Sequence, residues 1–87
     1  MSLLLAEGNP THRHFARALL DQYFPDHGPV LEVADGASAV QQALTERPGL
    51  LVVDMDLPGM HGVVVARQIW VHAPERTVCF WLHGGSL

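Results

Sequence analysis

An unbroken apolar run, Leu50-Leu51-Val52-Val53, leads straight into a carboxylate at Asp54 and then into the turn-rich segment Met55-Asp56-Leu57-Pro58-Gly59-Met60-His61-Gly62. Pro48-Gly49 closes the run upstream. Four apolar residues in succession, bounded by Pro and Gly, fit a strand covered on both faces, and such strands belong to parallel sheets. In an open parallel sheet, ligands and chemistry gather at the carboxyl ends of the strands. Asp54 stands at such an end. A carboxylate there costs free energy unless something pairs with it. Two readings are open. Asp54 is a functional group at the sheet edge, or it caps the following turn by accepting backbone N–H groups.

The rest of the chain alternates between short apolar runs and helical periodicity. Leu3–Ala6 reads as a first buried strand. Thr11–Tyr23 reads as a helix, with Phe15, Ala18, Leu19 and Tyr23 at helical spacing. Val30–Ala34 is a second strand. Ala37–Arg47 is a second helix, with Val40, Ala43 and Leu44 on one face and Asp35 or Ser38 as its cap. Gly62–His72 is a third helix. Val63, Ala66 and Ile69 form one apolar stripe on it; Val64 and Val71 form another, with Trp70 between them. Thr77–Leu82 is a fourth strand. The order βαβαβαβ implies an α/β fold, a doubly wound parallel sheet joined by right-handed crossovers.

Eighty-seven residues allow one small domain. The net charge is −4, with five Arg and no Lys, so no basic patch exists and direct nucleic-acid binding by this segment is excluded. The longest apolar run is far below the roughly 20 residues of a membrane span. The start lacks a basic segment, so it is no signal peptide. With one Cys no intrachain disulfide forms. A cytoplasmic location fits. His12 and His14, two apart on a helix, do not face each other, and the other histidines lack zinc spacing. Cys79 is expected to fill core beside the third helix. No nucleophile-base pattern or Gly-rich phosphate loop stands out.

Glu7 follows the first strand as Asp54 follows the third, and in a doubly wound sheet those strands are neighbours. Two carboxylates gathered there suit a hard cation such as Mg²⁺, and they leave a nucleophilic carboxylate at the edge. With Leu3-Leu4-Leu5-Ala6-Glu7-Gly8-Asn9-Pro10, Val33-Ala34-Asp35-Gly36-Ala37-Ser38-Ala39-Val40 and Val53–Gly62 in order, the chain resembles the receiver domain of two-component response regulators, a flavodoxin-like fold. The blocks are most similar to those of regulators of transcription. The resemblance covers nearly the whole chain. It implies a receiver domain over residues 1–87, incomplete at its C-terminus, with the last strand and helices missing.

The resemblance further implies that Asp54 accepts a phosphoryl group from a histidine kinase, with Mg²⁺ held by Asp54, by Glu7 and by the carbonyl of Asp56. It implies no other enzymatic activity than this self-phosphorylation. The sequence departs from the family pattern in places. Gly8 occupies the second acidic position, so one carboxylate ligand is absent, and the Asp56 side chain is a candidate to compensate beside its reading as a solvated turn residue. Leu82 stands where the family places a small hydroxyl residue, and no Lys is present. These departures set a second expectation beside phosphotransfer: a degenerate receiver that acts by protein contact without phosphorylation. An open fourth strand, a bare sheet face or the apolar third helix (Trp70, Val64, Val71) is expected to drive self-association.

Overall fold

The computed structural model describes residues 2–81, and at Trp81 the backbone alone. Leu82 and the tail beyond it lie outside the described residues. Four strands, β1 (Leu3–Ala6), β2 (Val30–Val33), β3 (Leu50–Asp54) and β4 (Val78–Trp81), form one parallel sheet in the order β2-β1-β3-β4. Three helices, α1 (Pro10–Tyr23), α2 (Gly36–Glu46) and α3 (Gly62–His72), form the crossovers. The doubly wound parallel sheet expected from the element order is the fold observed.

Local chemistry sets the helix starts. The Asn9 side chain accepts from the Thr11 and His12 amides, and Pro10 sits in the first turn, where its missing N–H is no loss. For α2 the choice of cap resolves to Asp35, which accepts from the Ser38 amide at 2.8 Å and from its hydroxyl at 3.0 Å. His61 caps α3 through Nδ1.

β1 lies between β2 and β3, and its four side chains are fully buried. Alternation sends Leu4 and Ala6 to one face with Leu51, Val53, Ala39, Ala43, Val65 and Ile69, under α2 and α3. It sends Leu3 and Leu5 to the other face with Val52, Ala16 and Leu20, under α1. Among the described residues α1 covers that second face by itself.

Three packing expectations are corrected. On α1 the buried row is Ala16 and Leu20, while Phe15 and Tyr23 are 58% and 68% exposed and Ala18 is exposed. The helix carries two adjacent rows at helical spacing, and the sheet takes the one with the small Ala16, which allows close approach. On α3 the buried row is Gly62, Val65, Ala66 and Ile69, one complete i, i+3, i+4, i+7 stripe, and Val63 is exposed. Cys79 is exposed and does not lie beside α3. It pairs in register with Val52, so it faces the α1 side, beyond the part of the sheet that α1 covers. No helix among the described residues is long and apolar enough to cross a membrane.

Candidate functional site: a carboxylate pair at the carboxyl edge of the sheet

The register β1 to β3 pairs Ala6 with Val53. The next residue on each strand is a carboxylate, so Glu7 and Asp54 leave adjacent strands side by side. Glu7 is 1% exposed and Asp54 is 3% exposed. They line a hollow of about 450 Å³ together with Gly8, His12, Asp56 and Pro58.

Backbone donors orient both acids. The Asn9 amide donates to Glu7 Oε2 at 2.9 Å, and the Asp56 amide donates to Asp54 Oδ1 at 3.2 Å. Asp54 therefore caps the turn that follows it and also lines the hollow. A close backbone contact fixes the chain behind Asp54. A Cβ at Gly62 would lie 2.6 Å from the Asp54 carbonyl oxygen and 2.9 Å from Met55 Cα, and the Gly62 amide donates to the Met55 carbonyl at 2.8 Å. The start of α3 rests on the strand end only because residue 62 has no side chain.

Burial holds the Glu7 carboxyl above its ordinary pKa of 4.5. The Asn9 amide opposes that shift, the neighbouring Asp54 adds to it, and His12 draws it down. Oε1 of Glu7 is buried and finds no hydrogen-bond donor. Two ionised carboxylates in contact offer each other only acceptors, so a proton or a cation must lie between them for both to be satisfied. A donor set of two hard oxygen ligands with one orphaned oxygen fits a divalent cation.

Asp56 lines the same hollow but is exposed, and the described residues contain no group of three or more His, Cys, Asp or Glu side chains placed to hold a metal. Asp56 thus shares the hollow with Glu7 and Asp54 from an exposed position in the turn. A turn begins at Met55, immediately past Asp54, so the turn and not strand alternation sets where Asp56 lies.

His12 was not legible as a pocket residue. Its Nδ1 lies 3.9 Å from Glu7 Oε1, and at the next residue Arg13 Nη1 donates to the Glu7 carbonyl at 2.9 Å. The signal lies in Asn9-Pro10. A helix that starts there turns the side chains of its first turn back toward the loop that precedes it. His14, the other half of the pair, is exposed.

Comparison with known proteins finds relatives in both sequence and fold. Residues 3–82 match the model of the response regulator receiver domain. The chain is 34% identical over 85 residues to the transcriptional activator protein ExaE of Pseudomonas putida, covering 93% of this chain and 37% of that protein. It is 29% identical over 77 residues to protein PilH of Pseudomonas aeruginosa, covering 87% of this chain and 60% of that protein. Among solved structures, a LuxR-family two-component response regulator from Aurantimonas sp. SI85-9A1 superposes with a TM-score of 0.85 at 27% identity, over 98% of this chain and 61% of that one. The response regulator domain of Thermotoga maritima CheB superposes with a TM-score of 0.81 at 24% identity, over 92% and 58%. The chain thus spans less than two thirds of these relatives.

Proposed function

The chain belongs to the response regulator receiver domain family, and from that premise we propose that it is the phosphoacceptor module of a two-component relay, taking a phosphoryl group from a histidine kinase onto Asp54 and regulating an output carried outside this segment. The observation that carries this reading is the contact of two buried carboxylates, Glu7 and Asp54, at the carboxyl edge of adjacent central strands. In this reading the module works in the cytoplasm beside its kinase, and it catalyses nothing beyond its own modification.

The chemistry is an in-line displacement. An oxygen of Asp54 forms the new bond to phosphorus while the bond from phosphorus to the donor's leaving atom breaks, and the leaving group departs with that electron pair. The Asp56 amide holds Oδ1 and so fixes the plane of the attacking carboxylate. Glu7 and Asp54 would hold Mg²⁺, with the Asp56 carbonyl as a third oxygen ligand by analogy with the family. The chemistry such an ion would supply there is neutralisation of the charge on the phosphoryl oxygens. Burial of the pair keeps bulk water away from that interaction and strengthens it.

The test is direct. Incubation with Mg²⁺ and acetyl phosphate, followed by intact mass, is expected to add one phosphoryl group to the parent chain and none to Asp54→Asn. A parent chain that gains no mass while still binding its partner sinks the phosphoacceptor reading.

A second reading has its own support. Gly8 leaves the pocket one carboxylate short, and α3 presents Val63, Val64, Trp70 and Val71 to solvent. Trp70 is steadied by its indole N–H, which donates to the Arg76 carbonyl at 2.8 Å. A receiver that signals by contact, with Trp70 as anchor, uses that surface and needs no phosphorylation. Self-association through α3, the outer edge of β4 or the uncovered sheet face belongs to the same reading.

A further inference from the structure

Glu7 is tied at three points. Its amide donates to the Val33 carbonyl at 3.0 Å, its Oε2 accepts from the Asn9 amide at 2.9 Å, and its carbonyl accepts from Arg13 Nη1 at 2.9 Å. Of these ties, the one to the carbonyl comes from a side chain. Gly8, the next residue, adds no side chain that could hold the loop between β1 and α1. Arg13 stands near the N-terminus of α1, where the helix dipole disfavours a cation. Its ion pair with Glu32, 3.7 Å from Nε, is partly exposed and contributes little to stability. What the pair does is aim the guanidinium. Glu32 pairs in register with Leu5, so it leaves β2 on the α1 side, and its second oxygen lies 3.0 Å from Arg17 Nη1.

We propose that Arg13 is the positioning residue of this pocket: by gripping the Glu7 carbonyl across Gly8 it fixes the direction of the Glu7 carboxylate, and so sets the cation affinity of the site. This rests on the reading of Glu7 and Asp54 as cation ligands, and a metal-free measurement keeps the two claims apart. A group that orients a ligand without touching the metal raises affinity by holding the ligand ready. Charge alone predicts the opposite sign, because removing a positive guanidinium near a cation site tightens cation binding. The direction of the change therefore separates the grip from the charge.

The metal-free measurement is amide hydrogen exchange. The Asn9 amide, bonded to Glu7 Oε2, reports whether Glu7 is still held. Arg13→Met keeps the apolar stem and loses the guanidinium. Arg17→Ala breaks pairs with Glu32 and Asp21 instead, and serves as the control. Asn9 exchange is expected to run about tenfold faster in Arg13→Met and to stay within about threefold of the parent in Arg17→Ala. Unchanged exchange in Arg13→Met overturns the proposal, as does equal acceleration in both variants. The second measurement is calorimetric titration with Mg²⁺. Arg13→Met is expected to bind about tenfold more weakly than the parent, and Arg17→Ala within about twofold of it. Equal or tighter binding by Arg13→Met overturns the proposal. If Arg13→Met does not fold, Arg13→Gln is read in the same way. If the parent binds no Mg²⁺ while Asn9 exchange still responds to Arg13→Met, the ligand reading of Glu7 and Asp54 fails and takes the affinity half of the proposal with it.

Discussion

Glu7 carries an electrostatic cost, because burial and the neighbouring Asp54 both disfavour its charged form. A buried carboxylate with an oxygen that finds no donor, set against a second acid, is stable only with something between the two. Glu7→Gln supplies an N–H that can donate to Asp54. Its metal-free form is expected to gain about 1 kcal/mol, a rise of several degrees in Tm for a chain of this size, and to lose its Mg²⁺ response in differential scanning calorimetry. His27 shows the opposite logic at the other end of α1. Its Nε2 lies 2.7 Å from Asp21 Oδ1, and its Nδ1 faces the Gly28 carbonyl. A neutral imidazole donates from one nitrogen only, so both bonds need the imidazolium. The Gly28 carbonyl, and then Asp21, hold the His27 pKa above its ordinary 6.5. The folded value exceeds the unfolded one, so the stabilisation is full below pH 6.5 and is lost as pH rises through the folded value. Asp21 runs the other way. His27 first, and then Arg17, lower its pKa below 3.8, so its contribution is present above that pH and is lost as pH falls through the folded value. Urea midpoints measured across pH are expected to decline above 6.5 in the parent and to lie flatter there in His27→Gln.

At the scale of elements, the helices divide into rows that carry the core and rows that face water. On α3, Ile69 is fully buried against Leu4, Leu51 and Val65, while Val71 is 71% exposed. Removing buried methyl groups leaves a cavity, so Ile69→Ala is expected to cost about 2–5 kcal/mol, which approaches the whole stability of a domain this small. Val71→Ala is expected to change stability by about 0.5 kcal/mol or less. Comparison of the two unfolding curves checks the burial row directly. The strands were legible because their apolar runs are short and bounded by Pro and Gly, and β3 starts at Leu50 where the sequence placed it. The helix faces were less legible. Periodicity reports that an apolar stripe exists; where two stripes lie side by side, as on α1 and α3, it does not report which one turns inward.

For the molecule as a whole, the two sheet faces are unequal. α2 and α3 cover one face, and among the described residues α1 covers the other by itself, leaving Phe15 and Cys79 exposed on that side. Phe80, on the α3 side of β4, is 39% exposed as well. At about 25 cal/mol per Å² of apolar surface, covering a few hundred Å² outweighs much of what a small domain has to hold it folded. The segment is expected to elute in gel filtration at micromolar concentration as a species larger than a monomer. Cys79→Asp is expected to shift it toward the monomer with its far-ultraviolet circular dichroism unchanged. A parent chain that elutes as a monomer across concentrations removes the self-association reading.

The order of elements, their parallel pairing and the meeting of Glu7 with Asp54 were legible in the sequence, because each rests on local periodicity and on the doubly wound topology, in which β1 and β3 are neighbours. Only the tertiary structure decided that Ala16 rather than Phe15 faces the sheet, that Cys79 points away from α3, and that His12 turns back toward Glu7. Each of these depends on the distance between groups far apart in the chain, and close packing, to which one-dimensional spacing is blind, sets that distance.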